Sequence, residues 1–489
     1  MVQSTPRSSW TRWFLLSIAL LILIPGCSSS QEQDQPYKDT WDSLSKHSFP
    51  EWLHDAKFGI WTHWGPYAVP AYKHEWYPRR LFTKKDFRRY HEKTYGPLEE
   101  VGYHDLIPKF TADQFDADRW AKLFNEAGAR FAGPVAEHHD GFAMYESKYT
   151  QWDASEKGPK QDILKALAQS IRTQDMKFVT SFHHLRKWEY YEPSYTEDDR
   201  YNTENPKYAG LDGLYPPPHE KEAPAPKSYF SMSMGKVREV VDRYRPSLLF
   251  FDSGPGGERV KWEEGAYEPL FRETVAEYYN QARDWGEEVS IIAESEDLPG
   301  DLTGKVGILT LEREKMETAQ EKPWMMITSV DDIAWSHIQN PDYKSSDALV
   351  QLLVDVISKN GVLWLNIGPK ADGTIPAPQK KRLRAMGDWL ERNGEAVYGT
   401  RPWRTPGSGS IRYTTKGDTL YAVSFTKPTD GLTLEALTSE EASSVESVAL
   451  LGAEGSPEWS ATDDGLTIQW PDGAADQLAY AFKVTLPMD

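Results

Sequence analysis

A (β/α)8 barrel followed by a small C-terminal antiparallel β-sandwich is the fold that this 489-residue sequence predicts. Three observations carry it. Eight short apolar runs recur between residues 58 and 368, helix-like segments separate most of them, and after Arg401 the apolar spacing becomes alternating. A run as unbroken as SLLFFDSG (247–254) leaves no polar face for water, which is the pattern of a parallel strand covered on both sides. Alternation of such strands with helices favours a parallel barrel, whose active site lies at the C-terminal strand ends.

The chain opens with Arg7 and Arg12 ahead of an apolar stretch from Trp13 to Ile24. That stretch is short for a bilayer span and reads as the apolar region of a signal peptide. It runs into Pro25-Gly26-Cys27, and Cys27 is the sole cysteine of the sequence, so it cannot staple a secreted domain from within. Its position resembles the cleavage site of a bacterial lipoprotein, where that cysteine becomes the lipidated N-terminus. An ordinary signal peptide with an incidental cysteine is the alternative. The expected organisation is a lipoprotein signal peptide over residues 1–27, a polar tether over 28–40, the catalytic barrel over 41–403 and the sandwich over 404–489. The protein is then exported and anchored at a membrane of the bacterial cell envelope.

The expected strands are FGIWTHWG (58–65), FAGPVAEHH (131–139), FVTSFHH (178–184) and SLLFFDSG (247–254), then VSIIAES (289–295), KVGILTLE (305–312), PWMMITSV (323–330) and GVLWLNIG (361–368). Between them, Asp116 caps a helix that runs to about Ala127 and stops at Gly128. Apolar spacing predicts further helices over 161–172, 232–243, 267–283, 346–359 and 379–392. Few helical residues are expected between 295 and 323. The Tyr- and Pro-rich segment 189–227 is long for a loop in a compact domain, and its aromatic part is expected to face substrate. Its stretch 220–226 reads as solvated. Beyond Arg401, Ile411–Thr415 and Thr419–Phe425 flank Lys416-Gly417-Asp418 as a hairpin, and alternating runs follow at 432–436, 445–451, 466–470 and 480–486.

A net charge of −19 argues against nucleic acid, which needs a basic footprint. Nineteen Trp and twenty-five Tyr fit either a large aromatic core or sugar binding, since indole rings stack on pyranose faces while their N–H groups reach hydroxyls.

The strand ends carry His63, His138, His139, His183, Asp252, Glu294, Glu312 and Asn366. A packed strand has no reason to finish so often in a polar group, and the chain reads as an enzyme. Asp252 and Glu312, from separate strands, are the pair that glycosidic cleavage needs: one attacks or activates water, and the other protonates the leaving oxygen. Asp252 could instead cap a turn, and Glu312, beside Arg313 and Glu314, could be a solvated charge. Glu294 and Glu296 could also serve. Histidines at barrel ends suit a metal as well as a sugar. A regular strand, however, would turn His138 and His139 to opposite faces, leaving at most three convergent imidazoles. Neutral imidazole can both donate to and accept from vicinal hydroxyls, and the sugar reading is preferred with no metal and no cofactor.

The segment EWLHDAKFGIWTHWGPYAVPAYKHEWYP (51–78) resembles the opening signature of glycoside hydrolase family 29, the α-L-fucosidases. AEHHDGFAMY (136–145), GPKQDILKAL (158–167), RPSLLFFDSG (245–254), WLNIGPKADGTIP (364–376) and NGEAVYGTRPW (393–403) are similar to further motifs of that family. The resemblance covers roughly residues 41–403 with the motif spacing intact. It implies a retaining exo-α-L-fucosidase acting on fucosylated glycans, with Asp252 matching the nucleophile. Glu312, in Thr310-Leu311-Glu312, resembles the acid/base motif Thr-Pro-Glu. His63, Glu75, Trp76, His138 and His139 match residues that hold fucose hydroxyls, and His183 a position near the anomeric centre. Trp61 and Trp335 resemble the aromatics around the C5 methyl. Departures stand beside these matches: Glu137 replaces a common Lys, Met325 follows Trp324 where many members have Glu, and Tyr72-Lys73-His74 is unusual. An α-L-galactosidase, a catalytically inactive sugar-binding lipoprotein and a metal-dependent barrel hydrolase are the rival readings.

Overall fold

Each of the eight apolar runs forms a strand. They are β1 (Phe58–Thr62), β2 (Phe131–Glu137), β3 (Lys177–Phe182), β4 (Leu248–Phe251), β5 (Ser290–Glu294), β6 (Ile308–Glu312), β7 (Trp324–Ser329) and β8 (Gly361–Ile367). Every neighbouring pair is parallel, and β8 returns to β1, so the sheet closes in chain order. The computed structural model describes residues 36–196, 213–252, 254, 261, 263, 265–295, 297–298, 302–428, 431–471 and 475–487. The signal segment with Cys27, most of the tether and Glu296 lie outside them. Among the described residues no helix is long and apolar enough to cross a membrane.

Inward side chains fill the barrel, with Trp61 stacked on Trp364 at 4.6 Å between ring centroids and Phe250 edge-on to Trp61 at 5.6 Å. Rings of that size fit because glycine lies beside them. A Cβ at Gly59 would stand 2.2 Å from the Phe131 ring, and one at Gly133 would stand 1.5 Å from the Val179 carbonyl oxygen of β3. Helices cover the outside. Ala117–Glu126 starts where the Asp116 carboxylate accepts the Arg119 N–H at 3.0 Å, and Ile163–Thr173 is capped by Asp162 in the same way. Lys227–Tyr244 begins five residues before the expected Met232, directly after Pro226. Glu268–Trp285, Ser346–Ser358 and Ala377–Asn393 complete the layer, and no helix lies between β5 and β7 among the described residues.

The aromatic segment after β3 departs from expectation. In its described part it turns inward: Tyr190 and Tyr191 are fully buried, and Tyr190 packs edge-on against Trp76 at 5.5 Å. Arg79 holds the turn by donating to the carbonyls of Glu189 and Tyr190 at 2.6 and 2.7 Å. Burying two phenol rings gains more apolar contact than exposing them at a rim. Tyr191 donates to the Asp140 carbonyl at 3.1 Å, whereas the Tyr190 hydroxyl is buried with no hydrogen-bond partner among the described residues. Tyr190 and Tyr191 thus back the cavity wall rather than face substrate, while residues 197–212 of the segment lie outside the described residues.

After the barrel come β9 (Arg401–Ser408), β10 (Ile411–Lys416), β11 (Thr419–Ser424), β12 (Leu432–Leu434), β13 (Ser447–Leu450), β14 (Trp459–Thr462), β15 (Gly465–Ile468) and β16 (Tyr480–Thr485). They form a five-stranded sheet ordered β13-β16-β11-β10-β9 and a three-stranded sheet ordered β12-β15-β14 around one apolar core. All four residues of β14 are exposed, so no buried face set it apart and it was not among the expected strands. The module is tied to the barrel by Trp389 donating to the Ala479 carbonyl at 2.9 Å and by an Arg412–Asp355 ion pair at 2.6 Å.

Gly133 carries the prediction of this fold. Gly133→Ala must push β2 away from a backbone oxygen that cannot rotate aside, so it should destabilise by more than the roughly 1–3 kcal/mol usual for core overpacking. Thermal unfolding of purified protein checks it, and an unchanged melting temperature would contradict the packing described.

Candidate active site

β4 delivers Asp252 to the barrel mouth on the back of four buried apolar residues, and its N–H is fixed to the Phe182 carbonyl at 3.0 Å. Its Oδ2 accepts from His183 Nδ1 at 2.7 Å and faces His139 Nε2 at 3.3 Å. The tautomer of His183 follows from its other side. Trp61 Nε1 donates to Ser181 Oγ at 3.1 Å, and that hydroxyl lies 3.2 Å from His183 Nε2, to which it can donate. The proton of His183 is thereby directed to Nδ1 and onto the carboxylate. Burial alone would raise the Asp252 pKa, but the charge and hydrogen bonds of His183 and His139 outweigh it and hold the group well below the usual aspartate range. Asp252 is kept ionised.

Glu312, at the end of β6, is the opposite case. Its carboxyl is exposed at the cavity and accepts from the Trp335 indole N–H at 3.2 Å. Partial desolvation by the surrounding wall, followed by the negative charge of Asp252, raises its pKa above the ordinary value, and Arg313 only partly opposes this. Arg313 itself adopts φ 57°, a left-handed conformation unusual for a long side chain.

Around these two carboxyls lies a cavity of about 540 Å³. Trp61, His63, Glu75, Trp76, His138, His139, His183, Asp252, Glu312 and Trp335 all line it, so every catalytic or substrate-contact residue expected from the sequence converges. The expectation that His138 and His139 point apart is overturned. β2 ends at Glu137 with its register to β3 shifted between Val135 and Glu137, so the strict alternation of side chains stops before the pair is reached. Their rings sit 4.5 Å apart, and all four strand-end imidazoles, His63, His138, His139 and His183, face the cavity rather than three. His184 turns away and bonds the Ser233 carbonyl at 3.2 Å.

Burial pushes His63 down to about 3 and His138 well below the ordinary imidazole range, so both are neutral and able to pair with hydroxyls. His138 Nδ1 is buried without a partner among the described residues. For Glu75, burial opposes ionisation but His74 at 2.8 Å overrides it, bringing the carboxyl to about 2. Its other oxygen accepts the backbone N–H of Trp335 at 3.0 Å. Asn366 was visible only as a polar strand end. In the structure its Oδ1 accepts from His63 N–H at 2.9 Å and lies 2.8 Å from His63 Nδ1, while its Nδ2 donates to the Trp335 carbonyl at 2.6 Å. Nothing in the spacing of the sequence foretold the Trp335 loop's dependence on Glu75 and Asn366.

Glu294 also lines the cavity, deep in its wall, with its N–H fixed to Asp297 at 2.8 Å. His63, His138 and His183, or His139, His183 and Asp252, are close enough to share a divalent cation. Both ring nitrogens of His183 are already hydrogen-bonded, however, as is Nδ1 of His63.

The buried histidines set a pH dependence of stability. His63 and His184 lie near 3 and His47 near 4, each lowered first by burial. In the unfolded chain they take up protons below about 6.5, where the native state does not, so folding loses about 1.4 kcal/mol per histidine per pH unit. The loss sets in as pH falls below about 6.5 and stops at the folded values. Melting temperature should therefore drop steadily from about pH 6.5 to 4, and a flat profile would contradict the burial assigned to these rings.

The family model described as Alpha-L-fucosidase matches residues 26–395, and that described as Alpha-L-fucosidase C-terminal domain matches residues 407–487. Plasma alpha-L-fucosidase of Homo sapiens is 30% identical over 409 residues, which cover 81% of this chain and 80% of that protein. Alpha-L-fucosidase of Branchiostoma floridae is 28% identical over 477 residues, 94% of this chain and 96% of that one. The crystal structure of Thermotoga maritima alpha-fucosidase superposes with a TM-score of 0.73 at 29% identity, covering 92% of this chain and all of that one. A matched model spanning most of the barrel, a second spanning the sandwich and a shared architecture lead to one conclusion: this chain belongs to the alpha-L-fucosidase family.

Proposed function

We propose that this chain is a retaining exo-α-L-fucosidase that hydrolyses terminal α-L-fucosyl residues, with Asp252 as nucleophile and Glu312 as general acid/base. The observation that carries the reading is the opposite displacement of two carboxyls in one cavity, Asp252 held ionised and Glu312 held towards its protonated form. Asp252 attacks the anomeric carbon while Glu312 gives its proton to the glycosidic oxygen, and the aglycone leaves. Glu312, now a carboxylate, takes a proton from water, which displaces Asp252 from the sugar and restores both groups. His63, His138, His139 and Trp76 are placed to receive hydroxyls. The corner where Trp61 meets Trp335, at 5.6 Å and 62°, favours a methyl group over the hydroxymethyl of galactose, whose hydroxyl would go unpaired there. The structure of the Thermotoga maritima enzyme in complex with fucose, at 29% identity, supports the same substrate.

Two variants test the roles. Asp252→Gly should abolish turnover, and added azide should restore product as the β-fucosyl azide; an α-azide or near-native activity would remove Asp252 from its role. Glu312→Ala should lose about 10²–10⁴-fold on a disaccharide with a poor leaving group and far less on an activated aryl fucoside. Because a raised pKa keeps the acid protonated to higher pH, wild-type kcat/KM should fall only above the ordinary glutamate range, and this basic limb should vanish in the variant. Leaving-group dependence on Glu294→Ala instead would move the proton donor to β5.

We also propose attachment of the mature chain to a membrane through lipid on Cys27, on the support of the apolar stretch and the Gly26-Cys27 junction. Cys27→Ser should move activity from the membrane to the soluble fraction. Wild-type activity found only in the soluble fraction would overturn the anchor.

A further inference from the structure

We propose that the aglycone side of the cavity holds an anion subsite, built on Arg313 and Arg80, that takes a sulfate ester or a carboxylate carried next to the departing fucose. The inference rests on the fucosidase reading above.

The chain has 74 acidic residues against 55 lysines and arginines, yet among the described residues its catalytic cavity is lined by three arginines, Arg80, Arg186 and Arg313, and by no lysine. A guanidinium presents a planar fork of donors that matches an oxyanion, whereas an ammonium is a point charge. Of the three, Arg186 is already engaged, donating to Glu189 at 3.1 and 3.4 Å and lying over Trp76 at 4.8 Å. The other two keep an unneutralised charge. Arg313 donates only to carbonyl oxygens, those of Asp331 at 3.3 Å and Asp332 at 2.9 Å, and its guanidinium lies 4.8 Å over the Trp335 ring. Arg80 is half-buried, packs 5.4 Å over Phe87, and its side chain makes no hydrogen bond or ion pair among the described residues.

Position follows from chemistry. Glu312 must face the oxygen that leaves with the aglycone, and Arg313 is the next residue, stacked on the indole that bonds Glu312. Among the described residues neither arginine forms an ion pair with Asp252, Glu75 or Asp332. Asp252 is paired with His183 and His139, Glu75 with His74 and the Trp335 N–H, and Asp332 with Lys344. Two guanidinium groups that line the cavity therefore have no ion-pair partner among the described residues.

The alternative is structural, Arg80 bracing the helix of Phe87 and Arg313 tying down the loop after β7. That role would affect charged and neutral substrates alike. The probes are paired aryl α-L-fucosides: 4-carboxyphenyl against 4-carbamoylphenyl, and 4-sulfophenyl against 4-sulfamoylphenyl. For wild type, kcat/KM should favour an anionic member over its neutral isostere by up to about fivefold in low salt, the upper range for one solvent-open ion pair. The preference should shrink in roughly 1 M salt, where the screening length is about 3 Å. Arg80→Gln and Arg313→Gln should each lower the charged-to-neutral ratio, whatever they do to overall rate. A preference confined to the sulfonate pair assigns a sulfate ester, and one confined to the carboxylate pair assigns a uronate or similar acid. A wild-type ratio of one or below, or variants that leave the ratio untouched, would overturn the subsite while the fucosidase reading stands. Failure to cleave the neutral fucosides would overturn that reading and this inference with it.

Discussion

A carboxylate held ionised at the floor of the cavity is the constraint around which the rest of the site is arranged. An unpaired buried charge of this kind costs several kcal/mol, and water cannot be admitted to relieve it without spoiling the sugar's fit. The barrel answers with donors from two strands. The indole N–H of Trp61 on β1 sets the hydroxyl of Ser181 on β3, that hydroxyl sets the tautomer of His183, and His183 donates to Asp252 beyond β4. Strand register maintains the chain of contacts, with Ser181 opposite Phe250 on β4. Trp61 therefore serves both as sugar wall and as the first donor of this relay.

Glu312 is held by a second network. Trp335 donates its indole N–H to Glu312 and its backbone N–H to Glu75, and its carbonyl accepts from the Asn366 amide, which also holds His63. The Trp335 ring, the His63 imidazole and the Glu312 carboxyl are thus positioned together. A long loop can carry Trp335 because Glu312 of β6, Asn366 of β8 and Glu75 from the segment after β1 define where it lies.

One departure from the family pattern acquires a reason here. Glu137 stands where a lysine is common, directly before the two histidines, and it is fully buried. The positive charge comes instead from Lys236 on the helix Lys227–Tyr244, 2.7 Å away and equally buried. Removing one partner of such a pair typically costs about 3–5 kcal/mol, since the other is left charged in the interior. The exchange keeps an ion pair under His138 and His139 while placing its acid on the strand. Glu137 ends β2 where the register shifts, and its carbonyl accepts the His183 N–H at 2.9 Å, which joins the two histidine-bearing strand ends.

The sequence by itself determined the barrel, because burial on both faces forces unbroken apolar runs that no other use of the chain requires, and it placed Asp252, Glu312 and the histidines at the strand ends for the same reason. It also determined the sandwich wherever a strand had one buried face, and missed β14, which has none. What only the tertiary structure decided is direction and partnership. The period of two predicted that His138 and His139 diverge, and a register shift at the end of β2 brought them together. Tyr190 and Tyr191 read as an exposed aromatic flap, and packing against Trp76 and the Asp140 carbonyl drew them inside. Glu312 could not be ranked above Glu294 from their strand ends, since both finish a strand in the same way. The displacement of a pKa depends on which charges and indoles lie within a few ångströms, and residues 252, 312 and 335 meet only when the barrel closes.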